Sequence, residues 1–276
     1  MNYHHAFHAG NFADVFKHAV LVHLLESLNR KDSPWCYIDT HAGAGRYDLT
    51  GTEAQATGEW QNGIGALPTD PAGPSLLTPY LKLVAQNNPN TGLRSYPGSP
   101  QLALHLARAQ DRLILNELQT PELEALRRHF GRDRRIHIHQ RDGYELLRAL
   151  LPKERRGLVL VDPPYESGQE FLTLARALRQ AQAAWPQGIL MAWYPLTLRN
   201  PANPLHHQLL NSGIRKILLA ELRLAANAGS GLYGCGLILI NPPWQSDEWI
   251  KALFAELQSH LQPGRSSGHL EWLVPE

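Results

Sequence analysis

The chain has 276 residues, 43% of them apolar, and a formal net charge of +1 at pH 7. These values are typical of a globular protein, and they exclude a disordered chain and a strongly basic nucleic-acid-binding field. No apolar stretch approaches the roughly 20 residues that span a bilayer, and the start lacks a basic-then-apolar signal, so we expect a cytoplasmic protein with no membrane partner. The cysteines, Cys36 and Cys235, lie in apolar runs, which predicts reduced, buried thiols.

The first part of the chain predicts a helix, a strand and an insertion. Asn11 is placed to cap a helix that runs to about residue 28, with Asp14 at its third position. An apolar strand at 35–38 then ends in the glycine-rich loop 39–45. From about 48 to 96 the sequence is rich in Gly, Pro, Thr, Asn and Gln and lacks a regular alternation of strands and helices. We interpret 48–96 as a small helical subdomain inserted into a main domain formed by 1–47 and 97–276.

Strands and helices alternate regularly after residue 97. Ser99 is placed to cap a helix with Pro100 at its first position, and Thr120 with Pro121 starts another. Further helices are expected at 144–151, 169–184 and 247–261, and strands at 113–115, 136–138, 158–161, 188–193, 216–222 and 235–240. Repeated strand–helix units predict an α/β fold with a mainly parallel sheet that helices cover on both faces.

The first four predicted strands each end in a polar signature. These are Asp39 with the glycine loop, then Glu117, then Asp142-Gly143, and then Asp162. In an open α/β sheet, ligands bind at the carboxyl ends of the strands. A glycine loop lets the backbone approach a ligand closely, Glu117 suits ribose hydroxyls, and Asp142 suits an adenine amino group. The series predicts a Rossmann-like sheet that binds an adenosine-containing cofactor.

Two classes of cofactor carry this adenosine. A nicotinamide dinucleotide also has a pyrophosphate, but Gly43-Ala44-Gly45 lacks the third glycine at the expected spacing, and no helix follows at once to bind phosphate. S-adenosyl-L-methionine has no phosphate to hold. The sequence therefore favours this methyl donor, with S-adenosyl-L-homocysteine as product, over the dinucleotide.

The tetrapeptide Asp162-Pro163-Pro164-Tyr165 follows the apolar run 158–161 directly. Two prolines end the strand because they lack an N–H, and the Asp162 carboxylate and the Pro163 carbonyl can then face one point beyond the sheet. Two such acceptors can orient a planar amine, whose lone pair is otherwise delocalised, for attack on a methyl group. Tyr165 would stack on the base, an interaction of roughly 1–3 kcal/mol. The plainer interpretation is a strand that ends in a proline turn.

A second copy of the motif, Asn241-Pro242-Pro243-Trp244, follows the apolar run 237–240. The motif alone therefore does not identify the active copy. In a methyltransferase-type sheet the fourth strand lies beside the first, which would place Asp162 near the donor methyl group, whereas Asn241 would end a strand far along the sheet. We expect Asp162 to be catalytic and Asn241 to be a structural stop.

Two basic runs and a set of histidines have alternative explanations. The runs are candidates for RNA contacts or solvated surface, and they comprise Arg127, Arg128, Arg132, Arg134 and Arg135, and Lys153, Arg155 and Arg156. The histidines could ligate a metal or form an ordered cap over the core, and they comprise His4, His5, His8 and His18, the last paired with Asp14. Methyl transfer from a sulfonium needs no metal, and the spacing matches no compact zinc pattern, so we expect none.

Nearly end to end, the chain resembles the RlmJ family of S-adenosylmethionine-dependent methyltransferases, which methylate the 6-amino group of one adenine in large-subunit ribosomal RNA. The resemblance rests on the segments 3–11, Asp14-Val15, Lys17-His18, 39–47, 96–100, 162–165, Trp193-Tyr194-Pro195 and 241–244. Phe12 and Phe16 replace other side chains that we would expect beside the N-terminal motif, and the inserted segment differs freely. Substrate preference is the property that these departures bear on most.

The resemblance implies a complete set of site residues. Catalysis would use Asp162, Pro163 and Tyr165, and Tyr3 with Tyr165 would engage the RNA. Donor contacts would come from Lys17, His18, His41, Ser99, Glu117, Asp142, Gly143 and Asp162. The implied partner is 23S ribosomal RNA, protein-free or early in assembly, and we expect the enzyme to act as a monomer.

Three other functions share parts of this pattern. A DNA adenine methyltransferase uses the same chemistry, although the sequence has no recognisable DNA-reading module. A protein-glutamine methyltransferase favours Asn at the first motif position, as at Asn241. A non-catalytic RNA-binding protein could also retain the fold, and it would not bind S-adenosylmethionine.

Overall fold

A computed structural model describes residues 4–69, 73–90, 92–150, 152, 154–197, 202–225 and 231–276. Its strands are β1 (Cys36–Asp39), β2 (Arg46–Asp48), β3 (Ser95–Pro97), β4 (Arg112–Asn116), β5 (Ile136–His139), β6 (Gly157–Val161), β7 (Ile189–Thr197), β8 (Ile217–Leu224), β9 (Leu232–Ile240) and β10 (Ser266–Val274). Its α-helices are α1 (Phe12–Asn29), α2 (Thr52–Thr57), α3 (Thr78–Gln86), α4 (Ser99–Leu106), α5 (Thr120–Phe130), α6 (Gly143–Ala149), α7 (Glu170–Ala184), α8 (Asn203–Leu210) and α9 (Ser246–His260). Tyr3 and Lys153, which the sequence analysis named, lie outside the described residues.

The main sheet has the strand order β10-β8-β9-β7-β6-β1-β4-β5. The strands β5, β4, β1, β6 and β7 pair in parallel, and β6 lies beside β1 as predicted. The expectation of a mainly parallel sheet is correct for this half only, because β9 runs antiparallel to both β7 and β8 and β10 runs antiparallel to β8. β8 and β9 follow each other in the chain and form an antiparallel pair, and no helix lies among the described residues between them. The sequence analysis assigned no strand to β10, which is an edge strand.

Helices cover both faces of the sheet and enclose two apolar cores. One core joins one face of the sheet to buried side chains of α1, α3, α4, α5 and α9. The other joins the opposite face to α6, α7 and α8. Asn11 caps α1 as predicted, because its side-chain oxygen accepts hydrogen bonds from the N–H groups of Ala13 and Asp14. Both cysteine thiols are free and buried, also as predicted.

The segment predicted as an insertion contains α2, α3 and two short 3₁₀ turns, Glu59–Asn62 and Ile64–Ala66. The strands β2 and β3 pair with each other at its two ends and form a separate two-stranded sheet. Buried side chains of α3, among them Tyr80 and Val84, belong to the same apolar core as α1. The division into a main domain and a subdomain stays a prediction, and the two parts share this core. Within the described ranges, none of the helices has the length and apolar character that crossing a bilayer requires.

The two proline motifs lie at opposite ends of the strands that form the sheet. β9 runs antiparallel to β7 with Ile240 opposite Leu190, so Asn241 lies at the amino-terminal end of the parallel strands, whereas Asp162 lies at their carboxyl-terminal end. The expectation that Asn241 would be far along the sheet is wrong, because β9 is only two strands from β6. Strand direction separates the motifs. The Asn241 amide donates to the carbonyls of Pro186 and Gly188, which supports its role as a structural stop.

Asn241→Ala should lower the free energy of unfolding by about 1–3 kcal/mol. The change removes two hydrogen bonds and places alanine at φ 56°, a left-handed conformation that asparagine adopts more readily than alanine. Asn241→Gly tolerates that φ, so its smaller loss should report the hydrogen bonds alone. Urea unfolding of the three proteins measures both quantities, and an Asn241→Ala protein as stable as the parent would contradict the anchoring role.

Candidate active site

A cavity of about 640 Å³ opens at the carboxyl ends of β1, β4, β5 and β6. The structure brings together around it every described residue that the sequence analysis assigned to the site: Lys17, His18, His41, Ser99, Glu117, Asp142, Gly143, Asp162, Pro163 and Tyr165. The volume is in the usual range for a cofactor site. The individual roles of these residues stay predictions.

At the end of β1, a buried carboxylate connects the glycine loop to α4. Asp39 is fully buried and accepts hydrogen bonds from the Tyr37 hydroxyl at 2.8 Å, the Ser99 hydroxyl at 2.7 Å and the His41 N–H at 3.3 Å. Burial raises the pKa of Asp39 to about 6 despite these hydrogen bonds. The expectation that Ser99 caps α4 is wrong, because Gly98 occupies the cap position and the Ser99 side chain bonds Asp39 instead.

Backbone donors hold the acid at the end of β4. One Glu117 oxygen accepts from the Gly43 N–H at 2.9 Å and the other from the Gln119 N–H at 2.7 Å. Burial raises the pKa of Glu117 above its ordinary value. The side chain is thereby fixed beside the glycine loop, where carboxylate oxygens can also accept from ribose hydroxyls. A Cβ at Gly43 would lie 2.2 Å from the Tyr47 hydroxyl, and its φ is 57°, so this position requires glycine.

Asn116, which the sequence analysis did not assign to the site, ties three strand ends together. Its amide N–H₂ donates to the carbonyls of Thr40 and Arg141, and its oxygen accepts from the Arg141 N–H. Thr40 follows β1, Asn116 ends β4, and Arg141 follows β5. Its position directly before Glu117 was the only signal available in the sequence. The amide therefore sets the spacing between the loops that carry the acidic residues.

The acid at the end of β5 has two uses. Asp142 caps α6, and a single oxygen, Oδ1, accepts from the N–H groups of Tyr144 and Glu145. The cap does not use Oδ2. The next residue, Gly143, packs so closely on the loop that a Cβ would lie 2.6 Å from the His41 ring and 2.8 Å from the Thr40 carbonyl. Close approach of this backbone to the cavity therefore depends on glycine.

A buried cation joins α1 to the Asp162-Pro163-Pro164-Tyr165 motif. Lys17 Nζ lies 2.5 Å from Asp162 Oδ2 and 2.8 Å from Asp14 Oδ1, and the Lys17 side chain is only 5% exposed. Burial alone would lower the pKa of Lys17, but the two carboxylates outweigh burial and raise it above its ordinary value. The sequence analysis placed Lys17 among the donor contacts and missed its pairing with Asp162. The signal that could have found part of it is the i, i+3 spacing of Asp14 and Lys17 on one helix face.

The histidine-rich N-terminal segment also bonds the Asp14 carboxylate. His5 Nε2 lies 2.9 Å from Asp14 Oδ2, which also accepts from the Gly10 N–H at 2.9 Å. His8 instead hydrogen-bonds Glu59 in the 48–96 segment, and His18 hydrogen-bonds the Tyr96 hydroxyl at 2.7 Å. These histidines are thus distributed over separate partners. Within the part of the chain that the structure describes, no group of three or more His, Cys, Asp or Glu side chains could hold a metal ion.

Tyr165 is fixed beside Asp162 in a sparsely populated backbone conformation. Its φ is 52°, which is rare for a bulky residue and is found most often at functional sites. The Tyr165 hydroxyl donates to the carbonyl of Trp193 at 2.6 Å, and the ring centroid lies 5.0 Å from that of Phe171 and 5.8 Å from that of Trp193. The ring is therefore held at the cavity wall.

The two basic runs differ in how many of their cations are exposed. Arg127, Arg128, Arg132 and Arg134 are exposed. Arg135 instead binds Asp133 and the Ala107 carbonyl, and Arg156 binds backbone carbonyls at Leu28 and Ser33. The second run therefore contributes at least one structural arginine, and the first is the better candidate for an RNA contact.

Two histidines and two acids of the site should make stability depend on pH. Burial lowers the pKa of His18 to about 3 and that of His41 to about 4, below the ordinary 6.5, so the unfolded chain binds more protons and stability is lost as pH falls from 6.5 toward 4. Asp39 and Glu117 act oppositely, since burial raises their pKa values and the stability this adds is lost as pH rises, for Asp39 from 3.8 to about 6. The histidine pKa values lie further from their ordinary value than that of Asp39 does, so the histidines set the direction, and a difference of one bound proton changes stability by about 1.4 kcal/mol per pH unit.

We therefore expect the free energy of unfolding to fall as pH is lowered from 6.5 to 4, and Asp39→Asn to make that fall steeper. Urea unfolding across this pH range measures both slopes. A slope that is unchanged in Asp39→Asn would show that Asp39 does not titrate as described.

The strand order and the acidic residues at the strand ends define a class of protein. A sheet in which β6 lies beside β1, with the glycine loop after β1 and the acids after β4, β5 and β6 around one cavity, is that of a Rossmann-like S-adenosylmethionine-dependent methyltransferase. The family model described as "Ribosomal RNA large subunit methyltransferase D, RlmJ" matches residues 32–274. The chain belongs to this family.

Relatives match over the full length. The chain is 40% identical to "Ribosomal RNA large subunit methyltransferase J" of Escherichia coli (strain K12) and 39% identical to the protein of the same name from Haemophilus influenzae, each over 100% of both chains. A crystal structure of a protein from Legionella pneumophila is also similar, with a TM-score of 0.88 and 37% sequence identity. That alignment covers 96% of this chain and 98% of the other.

Proposed function

We propose that this protein transfers a methyl group from S-adenosyl-L-methionine to the 6-amino group of an adenine in 23S ribosomal RNA. The observation that carries the proposal is the pairing of Asp162 with Lys17 in the wall of a cavity that Glu117 and Asp142 also line. The names of the full-length relatives support ribosomal RNA as the substrate class.

The cavity suits the methyl donor on its β1–β4–β5 side. Glu117, fixed by two backbone N–H groups, would accept from the ribose hydroxyls, and Asp142 would accept from the adenine amino group through the oxygen that the helix cap does not use. The positions of Gly43 and Gly143, where a Cβ would collide with neighbouring atoms, let the backbone approach the donor closely. His18, His41 and Ser99 complete the wall, and the lowered pKa values keep both histidines neutral at pH 7.

On the other side, Asp162 and Pro163 would orient the acceptor amine. Because Lys17 Nζ holds Asp162 Oδ2, Oδ1 is left to accept one amine hydrogen while the Pro163 carbonyl accepts the other. S-adenosylmethionine, when bound, supplies a sulfonium methyl group, so the amine nitrogen forms a bond to that carbon as the carbon–sulfur bond breaks and S-adenosylhomocysteine leaves. The proton that the nitrogen then loses goes to Asp162 Oδ1, directly or through water. Most of the rate gain comes from proximity and orientation.

The target adenine must leave its stack to reach the cavity, at a cost of a few kcal/mol unless the RNA is already unpaired there. Tyr165 would offset part of that cost by stacking on the base. We expect the substrate to be RNA that is protein-free or early in assembly, and the enzyme to act as a monomer.

The protein-glutamine alternative loses its support, because Asn241 lies at the opposite end of the strands and binds backbone carbonyls there.

Asp162→Ala and the isosteric Asp162→Asn should reduce turnover at least about 100-fold while donor affinity changes little, because the carboxylate acts on the acceptor amine. The measurement is formation of N6-methyladenosine in protein-free 23S RNA, quantified by nucleoside mass spectrometry, with donor binding followed by calorimetry. Asn241→Ala is the matched control in the second motif and should keep its activity.

Near-normal methylation by either Asp162 variant would refute the catalytic assignment. Duplex DNA that competes equally with the RNA as methyl acceptor would instead favour a DNA methyltransferase. Failure of the parent protein to bind S-adenosylmethionine at millimolar concentration would favour a non-catalytic RNA-binding role.

A further inference from the structure

The motif Trp193-Tyr194-Pro195 has no role in the mechanism so far. β7 is longer than its neighbour: the pairing with β6 ends at Val161 opposite Ala192, and from Trp193 onward β7 pairs only with β9. Trp193 is therefore the first residue of a β7 segment that extends beyond the end of β6. In the register of these two strands it lies level with Asp162. Trp193, Pro195 and Thr197 all line the cavity.

Side chains along this segment alternate between the two faces of the sheet. Trp193 packs against the core on the α1 side, whereas Tyr194 and Leu196 belong to the opposite core. Trp193 therefore lies on the same side as Lys17, whose Nζ is 6.0 Å from the centroid of the Trp193 ring, a distance that allows a cation–π interaction. The same indole meets Tyr165 edge to face, with an interplanar angle of 66°.

Trp193 thus lies beside both parts of the proposed acceptor site, which are the Lys17–Asp162 pair and Tyr165. Its ring lies beside the lysine that holds Asp162 and beside the tyrosine that would stack on the base. Its backbone carbonyl, on the part of β7 that β6 no longer pairs, accepts the Tyr165 hydroxyl. The φ of 52° at Tyr165 is unfavourable, so the ring keeps this position only where surrounding contacts hold it.

We propose that Trp193 is a positioning residue for the acceptor adenine: its carbonyl fixes the Tyr165 hydroxyl, and its ring sets the distance between Tyr165 and the Lys17–Asp162 pair. This inference rests on the proposed function and concerns the acceptor only. Trp193 is not among the residues expected to contact the donor, so donor affinity should depend on it little.

The test compares Trp193→Ala, Trp193→Phe and Tyr165→Phe by steady-state methylation of protein-free 23S RNA, with donor affinity measured by calorimetry. Trp193→Ala should lower kcat/KM for RNA about tenfold or more, because it removes the indole that helps to hold the Tyr165 ring in position. Trp193→Phe retains an aromatic ring and should recover most of the loss. Tyr165→Phe keeps the ring and loses only the hydroxyl anchor, which should lower kcat/KM about fivefold. Donor Kd should stay within about twofold of the parent value in all three.

Two further measurements separate positioning from general stability. The double variant Trp193→Ala/Tyr165→Phe should lose less than the product of the single losses, because both changes act on the position of one ring. Trp244→Ala is the control, since Trp244 is 85% exposed on the opposite edge of the sheet and should leave the kinetics unchanged. If Trp193→Ala does not fold, Trp193→Phe and Tyr165→Phe decide the question.

Each outcome has a distinct meaning. An active parent enzyme with fully additive effects, or a Trp193→Ala protein that matches the Trp244→Ala control, would overturn the role of Trp193 and leave the proposed function intact. A loss of donor affinity parallel to the loss of turnover would also overturn it, because it would show a general structural effect. A parent enzyme that methylates no adenine in the RNA would overturn the proposed function and this inference together.

Discussion

The arrangement of the site depends on one buried ion triplet, in which Lys17 lies between Asp14 and Asp162. A buried carboxylate without a partner is costly, and breaking such a pair leaves an uncompensated charge. The triplet joins three structural units: Lys17 and Asp14 lie on α1, the N-terminal turn binds Asp14 through His5 and Gly10, and Asp162 follows β6. The lysine thereby couples the conformation of the N-terminal turn to the position of the Asp162 carboxylate.

Features that depend on local patterns could be predicted from the sequence. Apolar runs with acids at their ends located β1, β4, β5 and β6. The acids after β4, β5 and β6 do line one cavity, because parallel strands bring their carboxyl ends together, whereas Asp39 is buried beneath the glycine loop. The Asn11 cap follows from a single residue at a helix start. The antiparallel half of the sheet was not predictable in this way, since an apolar run such as 235–240 reads the same in either direction. β10 was missed because half of it faces solvent and its pattern is weak.

At the cavity, sequence reasoning predicted which residues lie together but not which partners they bond. Ser99 satisfies the expectation for a helix cap by residue type, yet Asp39 offers it a buried acceptor that only the fold brings near. Asn116 and Lys17 illustrate the same limit, because each bonds groups that are distant in the chain, in the case of Lys17 and Asp162 separated by 145 positions. Asp142 can serve both as a helix cap and as a ligand contact, because one oxygen caps α6 and the cap does not use the other.

The extended part of β7 has a consequence for solubility. A strand that extends beyond its neighbour leaves backbone N–H and C=O groups unpaired. Such groups can pair with another chain and start aggregation. Here Pro195 has no N–H to offer, and the Tyr165 hydroxyl occupies the Trp193 carbonyl, so an intruding strand would find an interrupted ladder. Trp193 and Pro195, which shape one wall of the cavity, therefore leave few backbone groups on this side of β7 with which another strand could pair.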